Sequence, residues 1–192
     1  MVTEFLIKTG IQIVFADTGT DFTGSPIAPT TAANSLIVGT PDSSYQMDLT
    51  SLGAAGGARE SAKADVAGSS GSAWAPTWSV DACLEHAATP TDNEVVDFFW
   101  AATPSSGAAT GNAGGLTGSD AAYTTTDGKL LQMMPLGVLV LKASVINIGH
   151  VGIFTPPHRY GILVIKNRSA AAMHTAMDET HIVFTEIVDE SQ

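Results

Sequence analysis

Residues 13–26 read IVFADTGTDFTGSP, and Asp17, Thr18 and Gly19, followed by a second acid at Asp21, are of types that could do acid–base chemistry. An aspartate held in a tight turn after an apolar strand (Ile13, Val14, Phe15) can share one proton with a second carboxylate and activate a water against a peptide carbonyl. Two carboxylates in one site are essential to that reaction, because like charges at close range force one of them to stay protonated. The chain holds no second Asp-Thr-Gly, so an identical subunit would have to supply the partner.

Such a loop looks like that of the dimeric aspartic proteases, which also need an apolar-apolar-Gly strand crossing beneath it from the same subunit. LIVG at 36–39 follows too closely to cross under the loop, and INIG at 146–149 lies too far downstream. Composition alone places the tripeptide in about one chain in seven of this make-up. Asp and Gly after an apolar strand also make a turn, the Asp17 side chain accepting from its own backbone. The turn is the expectation, and an aspartic-protease-like enzyme using Asp17 is the remote alternative.

The remaining chemistry-bearing residues form no frame. His86, His150, His158, His174 and His181 show neither H-x-H nor H-x-x-x-H spacing, and the single cysteine, Cys83, permits no intrachain disulfide and no thiolate zinc cluster. His174 and His181 beside Asp178 and Glu179 read as surface polar residues. GNAGGLTG at 111–118 has the glycines of a phosphate loop without its lysine or following helix, and Ser, His and Asp occur without a nucleophile elbow. NRS at 167–169 matches a glycosylation sequon in a chain with no export signal. No catalytic, cofactor or metal residue is therefore expected.

Charge bounds the partners. Nineteen acids against eight bases give a net charge of -11, and no basic residue lies between Lys63 and Lys129. A surface of that balance repels phosphate, so direct nucleic-acid binding is not expected, and Arg159, Lys166 and Arg168 read as a solvated face. MVTEFLIKTG lacks the basic start and cleavage site of a signal peptide, and no apolar run reaches the roughly 18 residues of a membrane span, so a soluble chain is expected.

Positioning elements come next. From Trp74 to Leu84 the even positions are Trp74, Pro76, Trp78, Val80, Ala82 and Leu84 while the odd ones are mostly small or polar, a period of two that marks a strand with one buried face. ARESAKADV at 58–66 also alternates, and GSSGS between the two runs predicts that they form an antiparallel pair. Further strands are predicted at 94–101, 129–134, 136–143, 146–154, 159–167 and 181–189, with one possible helical turn at 169–179. Low charge and abundant small residues suit strands and tight turns, so the fold expected is an all-β antiparallel sandwich. Trp74, Trp78, Val80, Leu84, Phe98, Trp100, Leu139, Leu141, Ile153, Leu163, Ile165, Ile182 and Phe184 should face inward.

Two segments depart from the pattern. Residues 1–50 read as an N-terminal arm or hairpin and tether, whose strand-bearing part (2–15) is suited to adding onto a neighbour's sheet. Residues 51–192 form the sandwich, with a loop at 102–128 far longer than the usual connection of about 4–6 residues. The expected contact residues are Phe5, Ile7, Ile11, Ile13 and Phe15 in the arm, with Leu116 and Tyr123 in the loop.

ARESAKADV, DNEVVDFFWAATPSS, GNAGGLTGSDAAY, LLQMMPLGVLVLKAS, HVGIFTPPHRYGILVIKN and HIVFTEIVDE, taken in order, resemble a family of small virion structural proteins of tailed bacteriophages with a jelly-roll-like sandwich. The resemblance runs from about Ser51 to Glu190. It implies a capsid decoration or cement protein on the head exterior, with the major capsid protein as partner, or alternatively a tail, fibre or baseplate component involved in host attachment. An acidic, cysteine-poor sandwich with an arm, a long loop and no active site suits such an assembly role, as a closed homo-oligomer, expected to be a trimer, over capsid subunit junctions.

Overall fold

The computed structural model describes residues 10–17, 22–23, 28–29, 34–50, 52–67, 77–175 and 179–187. In chain order the strands are β1 (Gln12–Ala16), β2 (Phe22–Thr23), β3 (Ala28–Pro29), β4 (Ser43–Gln46), β5 (Ala58–Ala62), β6 (Ala64–Asp65), β7 (Trp78–Glu85), β8 (Val95–Thr103), β9 (Ser119–Ala122), β10 (Met134–Val140), β11 (Ile146–Phe154), β12 (Tyr160–Asn167) and β13 (His181–Glu186). A 3-10 turn at Ala113–Gly115 and one short helix, α1 (Asp127–Leu130), complete the set.

These strands form a β-sandwich. One sheet runs β11-β7-β13-β1-β4 and the other β10-β8-β12-β5-β9, with β6 also on β12; β2 and β3 make a separate small hairpin. Every ladder is antiparallel except β1 with β4. β7 and β8, early in the body, pair with β13 and β12, the last strands, so the chain winds as a rolled ribbon of the jelly-roll kind.

Alternation explains the core. Trp78, Val80, Ala82 and Leu84 on β7 and Phe98 and Trp100 on β8 are fully buried between the sheets. Phe184 of one sheet lies 5.6 Å from the Trp100 ring of the other, and Phe15 and Phe154 close on Phe184 at 4.9 and 5.2 Å. Each such side chain contributes roughly 2–3 kcal/mol by leaving water. Gly161 sits under Trp100, where a β-carbon would overlap the indole ring.

Several expectations change. Residues 12–16 are not an arm: β1 lies between β13 and β4, with Ile13 and Phe15 in the main core, because an apolar run with no wet face needs cover on both sides. The 58–66 and 78–85 runs do not pair but stand in opposite sheets, β5 on β12 and β9, β7 on β11 and β13; the GSSGS stretch and Trp74 lie outside the described residues. Residues 129–134 are no strand, since α1 and a following turn occupy them until Met134. Residues 169–179 hold no helix among those described, and Met173 bridges His86 instead. Ile153 faces solvent, because a bulge between His150 and Gly152 reverses the parity of β11 and turns Phe154 inward.

The long loop is a packed layer. Ala58, Ala101, Ile162 and Val164 point away from the main core, and Leu116, Tyr123, Leu130 and Met133 cover them. Charged residues pin it to the sheet. Glu60, buried on β5, accepts from the Thr117 amide and hydroxyl (2.9 and 2.6 Å) and from the Gly118 amide (3.3 Å). Lys63 donates to the carbonyls of Ser105, Gly107 and Thr110 at 3.2, 2.6 and 2.8 Å.

Candidate functional site

The surface that stands out is the corner where the two sheets end. β10 and β11 are the edge strands of opposite sheets, joined by a short turn, and each carries a bulge in its ladder, between Pro135 and Gly137 and between His150 and Gly152. Glycine is required at both. Gly137 has φ +148, a β-carbon there would run into the Val151 carbonyl, and one on Gly152 would run into the Leu136 carbonyl. The two backbones therefore press together at the corner.

Closing the corner sorts the side chains. Leu136, Leu139, Leu141, Val151 and Phe154 turn into the core. Their neighbours turn out: Val138 and Val140 are 44% and 55% exposed, Ile148 and Ile153 48% and 59%, and Val145 in the turn 42%. Lone exposed aliphatics are ordinary, but four on one pair of adjoining edge strands and a fifth in their turn are a concentration that marks a candidate contact surface. No acid occurs between Asp127 and Asp178, although the chain carries 19 acids. That gap spans both edge strands.

One polar cluster interrupts the apolar surface. His150 Nδ1 lies 3.1 Å from Asp81 Oδ1 and 3.4 Å from Ser79 Oγ, and Ser79 Oγ donates to Asp81 Oδ2 at 3.0 Å. These are the residues of a hydrolase triad without its arrangement: serine and aspartate crowd the same ring nitrogen, leaving no base for the hydroxyl on the other one. The serine proton already points at the carboxylate. The cluster stands half-exposed on the open face of the sheet and cannot raise a nucleophile.

Asp17 directly follows β1, and its Oδ1 accepts from Gln46 Nε2 at 2.5 Å beside the parallel β1–β4 pair. Asp21 and the Thr18-Gly19 stretch lie outside the described residues. Of the expected contact residues, Phe5 and Ile7 also lie outside them. Ile11 packs partly buried against the core, Ile13 and Phe15 are inside it, and Leu116 and Tyr123 are buried under the folded loop, where Tyr123 Oη donates to the Gly114 carbonyl at 2.7 Å. Four of the five described are thus buried, and Ile11 is half-buried at the rim of an open cleft. The edge residues that are free show in the sequence only as the acid-free stretch and the glycine pair.

Burial disfavours the charged forms of Cys83, His86 and His181. Burial pushes the Cys83 thiol up to about 12, with Glu179 and Glu85 adding to the shift. Burial lowers His86, whose ring nitrogens have no hydrogen-bond partner among the described residues, and it lowers His181. No group of three His, Cys, Asp or Glu among the described residues could hold a metal ion, and no helix among them is long and apolar enough to cross a membrane. An open cleft of about 680 Å³ lies between Gly10–Gln12, Thr185 and residues 38–42 and offers Asp42 as its one charged side chain.

Compared with models of known protein families, with curated proteins and with solved structures, the chain matches none.

Proposed function

We propose that this chain is a non-enzymatic virion structural protein, a decoration or cement protein on the exterior of a tailed-phage head, that works through its β10–β11 edge. The observation that carries the reading is the set of exposed aliphatics Val138, Val140, Val145, Ile148 and Ile153 on adjoining edge strands and their turn, a stretch that carries no acid of its own. In a chain of net charge -11, most other surfaces would bring acid against acid when copies meet. The two strands of this edge contribute none. The segment resemblance to phage virion proteins agrees, and the negative charge suits a face turned away from packaged DNA.

The partners are the major capsid protein and further copies of the chain, closing as a homo-oligomer, a trimer, over a junction between shell subunits. Each contact is small, and occupancy comes from many contacts held together. The test is to add purified chain to undecorated heads of the phage that encodes it, with Val140→Asp/Ile148→Asp alongside. The unchanged chain should coat the head in electron micrographs and raise its heat resistance, and the double variant should keep its melting temperature but lose affinity about tenfold or more. Full occupancy by the variant would sink the role of the edge. Label confined to the tail would sink the head location.

A further inference from the structure

Residues 34–38 cross the outer face of the five-stranded sheet without joining it as a strand. Their alternate amides are held by side chains. The Asn34 amide donates to Glu179 Oε2 at 2.8 Å, the Leu36 amide to His181 Nε2 at 2.9 Å and the Val38 amide to Gln12 Oε1 at 2.7 Å. Beneath them Leu36 and Ile37 cover Val14, Ala16 and Val183, which are buried for that reason.

The middle bond determines the state of the histidine. Because the Leu36 amide donates to Nε2, that nitrogen must carry a lone pair. Nδ1 lies 2.8 Å from the Glu179 carbonyl oxygen and so must carry the proton. His181 is therefore neutral, with its proton on Nδ1. A second proton on Nε2 would point at the Leu36 N–H, two donors face to face, and the bond would break.

We propose that residues 34–38 are an acid-released strap, latched by neutral His181, that lifts when the ring takes its second proton and uncovers Val14, Ala16 and Val183. These residues share the outer face of the sheet with Ile148 and Ile153, so release enlarges the apolar surface there. The proposal does not depend on the decoration role.

The groups around His181 are named from each neighbouring element. Cys83 stands opposite on β7 with Glu85 two residues on, and His174 and Glu179 come from the connection before β13. On β1, His181 faces Ala16, next to Asp17. Residues 34–38 carry no ionisable side chain. Burial is the largest influence on the ring and favours its neutral form, while the Glu179 carbonyl and carboxylate oppose it. The latch therefore holds at neutral pH and opens only on acidification below the ordinary histidine range.

The test is amide hydrogen exchange in the full chain, as protection factors corrected for intrinsic rates, across the neutral to mildly acidic range. In the unchanged protein Leu36 should lose protection about tenfold or more through a one-proton transition, while Leu163 in β12 keeps its own. His181→Gln, whose carbonyl can accept from Leu36 and whose amide can donate to Glu179 without titrating, should hold Leu36 protection flat. Glu179→Gln should keep the transition, which separates the ring from the carboxylate that holds Asn34. A flat profile in the unchanged protein, a transition that survives His181→Gln, or simultaneous loss at Leu36 and Leu163 would overturn the proposal. Should His181→Gln not fold, the ring nitrogen chemical shifts of His181 decide instead. They must report a proton on Nδ1 at neutral pH and titrate together with Leu36 protection, and any other tautomer or midpoint refutes the latch.

Discussion

At the scale of single residues, Asp17 and Glu60 show how differently two carboxylates can be used. Asp17 presents one oxygen to the Gln46 amide, a role that asparagine can fill with its own carbonyl oxygen. Asp17→Asn should change the unfolding free energy by less than about 0.5 kcal/mol in urea titrations, whereas a catalytic base could not tolerate it. Glu60 is a buried acceptor for three donors of the folded loop. Glu60→Ala leaves those donors unsatisfied and should lower stability by about 3 kcal/mol, with amide exchange at Thr117 and Gly118 rising first. The end of the strand after the IVF run was legible, since an apolar stretch broken by Asp and Gly can hardly continue as a strand. Gln46 as the partner was not, because nothing local links positions 29 residues apart.

At the scale of elements, β1 shows how a segment read as peripheral becomes part of the body. It lies between β13 and β4 with Ile13, Val14 and Phe15 fully buried, so it belongs to the sandwich. Deleting residues 1–16 removes two large core side chains and two ladders and should abolish the cooperative thermal transition, as calorimetry would show. The loss is comparable with the roughly 5–15 kcal/mol that usually holds a domain together. The uninterrupted IVF and GILVI runs were the clues, for a strand buried on both faces shows no alternation. Ile153 went the other way. Its alternation was correct up to His150, and a bulge then shifted it by one residue.

At the scale of the whole molecule, charge and buried histidine set the response to pH. His86 and His181 are both lowered from the ordinary value of 6.5, chiefly by burial, so the unfolded chain binds protons that the folded one refuses. Stability is therefore full above that value and falls as the pH drops below it. The slope is about 1.4 kcal/mol per pH unit for each proton taken up. Urea unfolding at a series of pH values should show this decline, reduced by one proton in His181→Gln; a curve level through the mildly acidic range would contradict it.

The β class, the single inward face of β7 and β8, and the absence of any possible intrachain disulfide are written in the residues themselves. A strand's period of two is a property of the local backbone, visible in any stretch of eight residues. Which strands pair, which outer faces are covered and which aliphatics stay bare were decided only by tertiary structure. Those choices depend on ladders and layers formed between residues far apart in the chain. β5 and β7, close in sequence, part into different sheets, while β1 meets β13 across almost the whole chain. The 102–128 loop is long because it must reach back over a sheet whose outer face is itself apolar. The β10–β11 surface stays open because that corner closes on two glycines and leaves its valines and isoleucines outside.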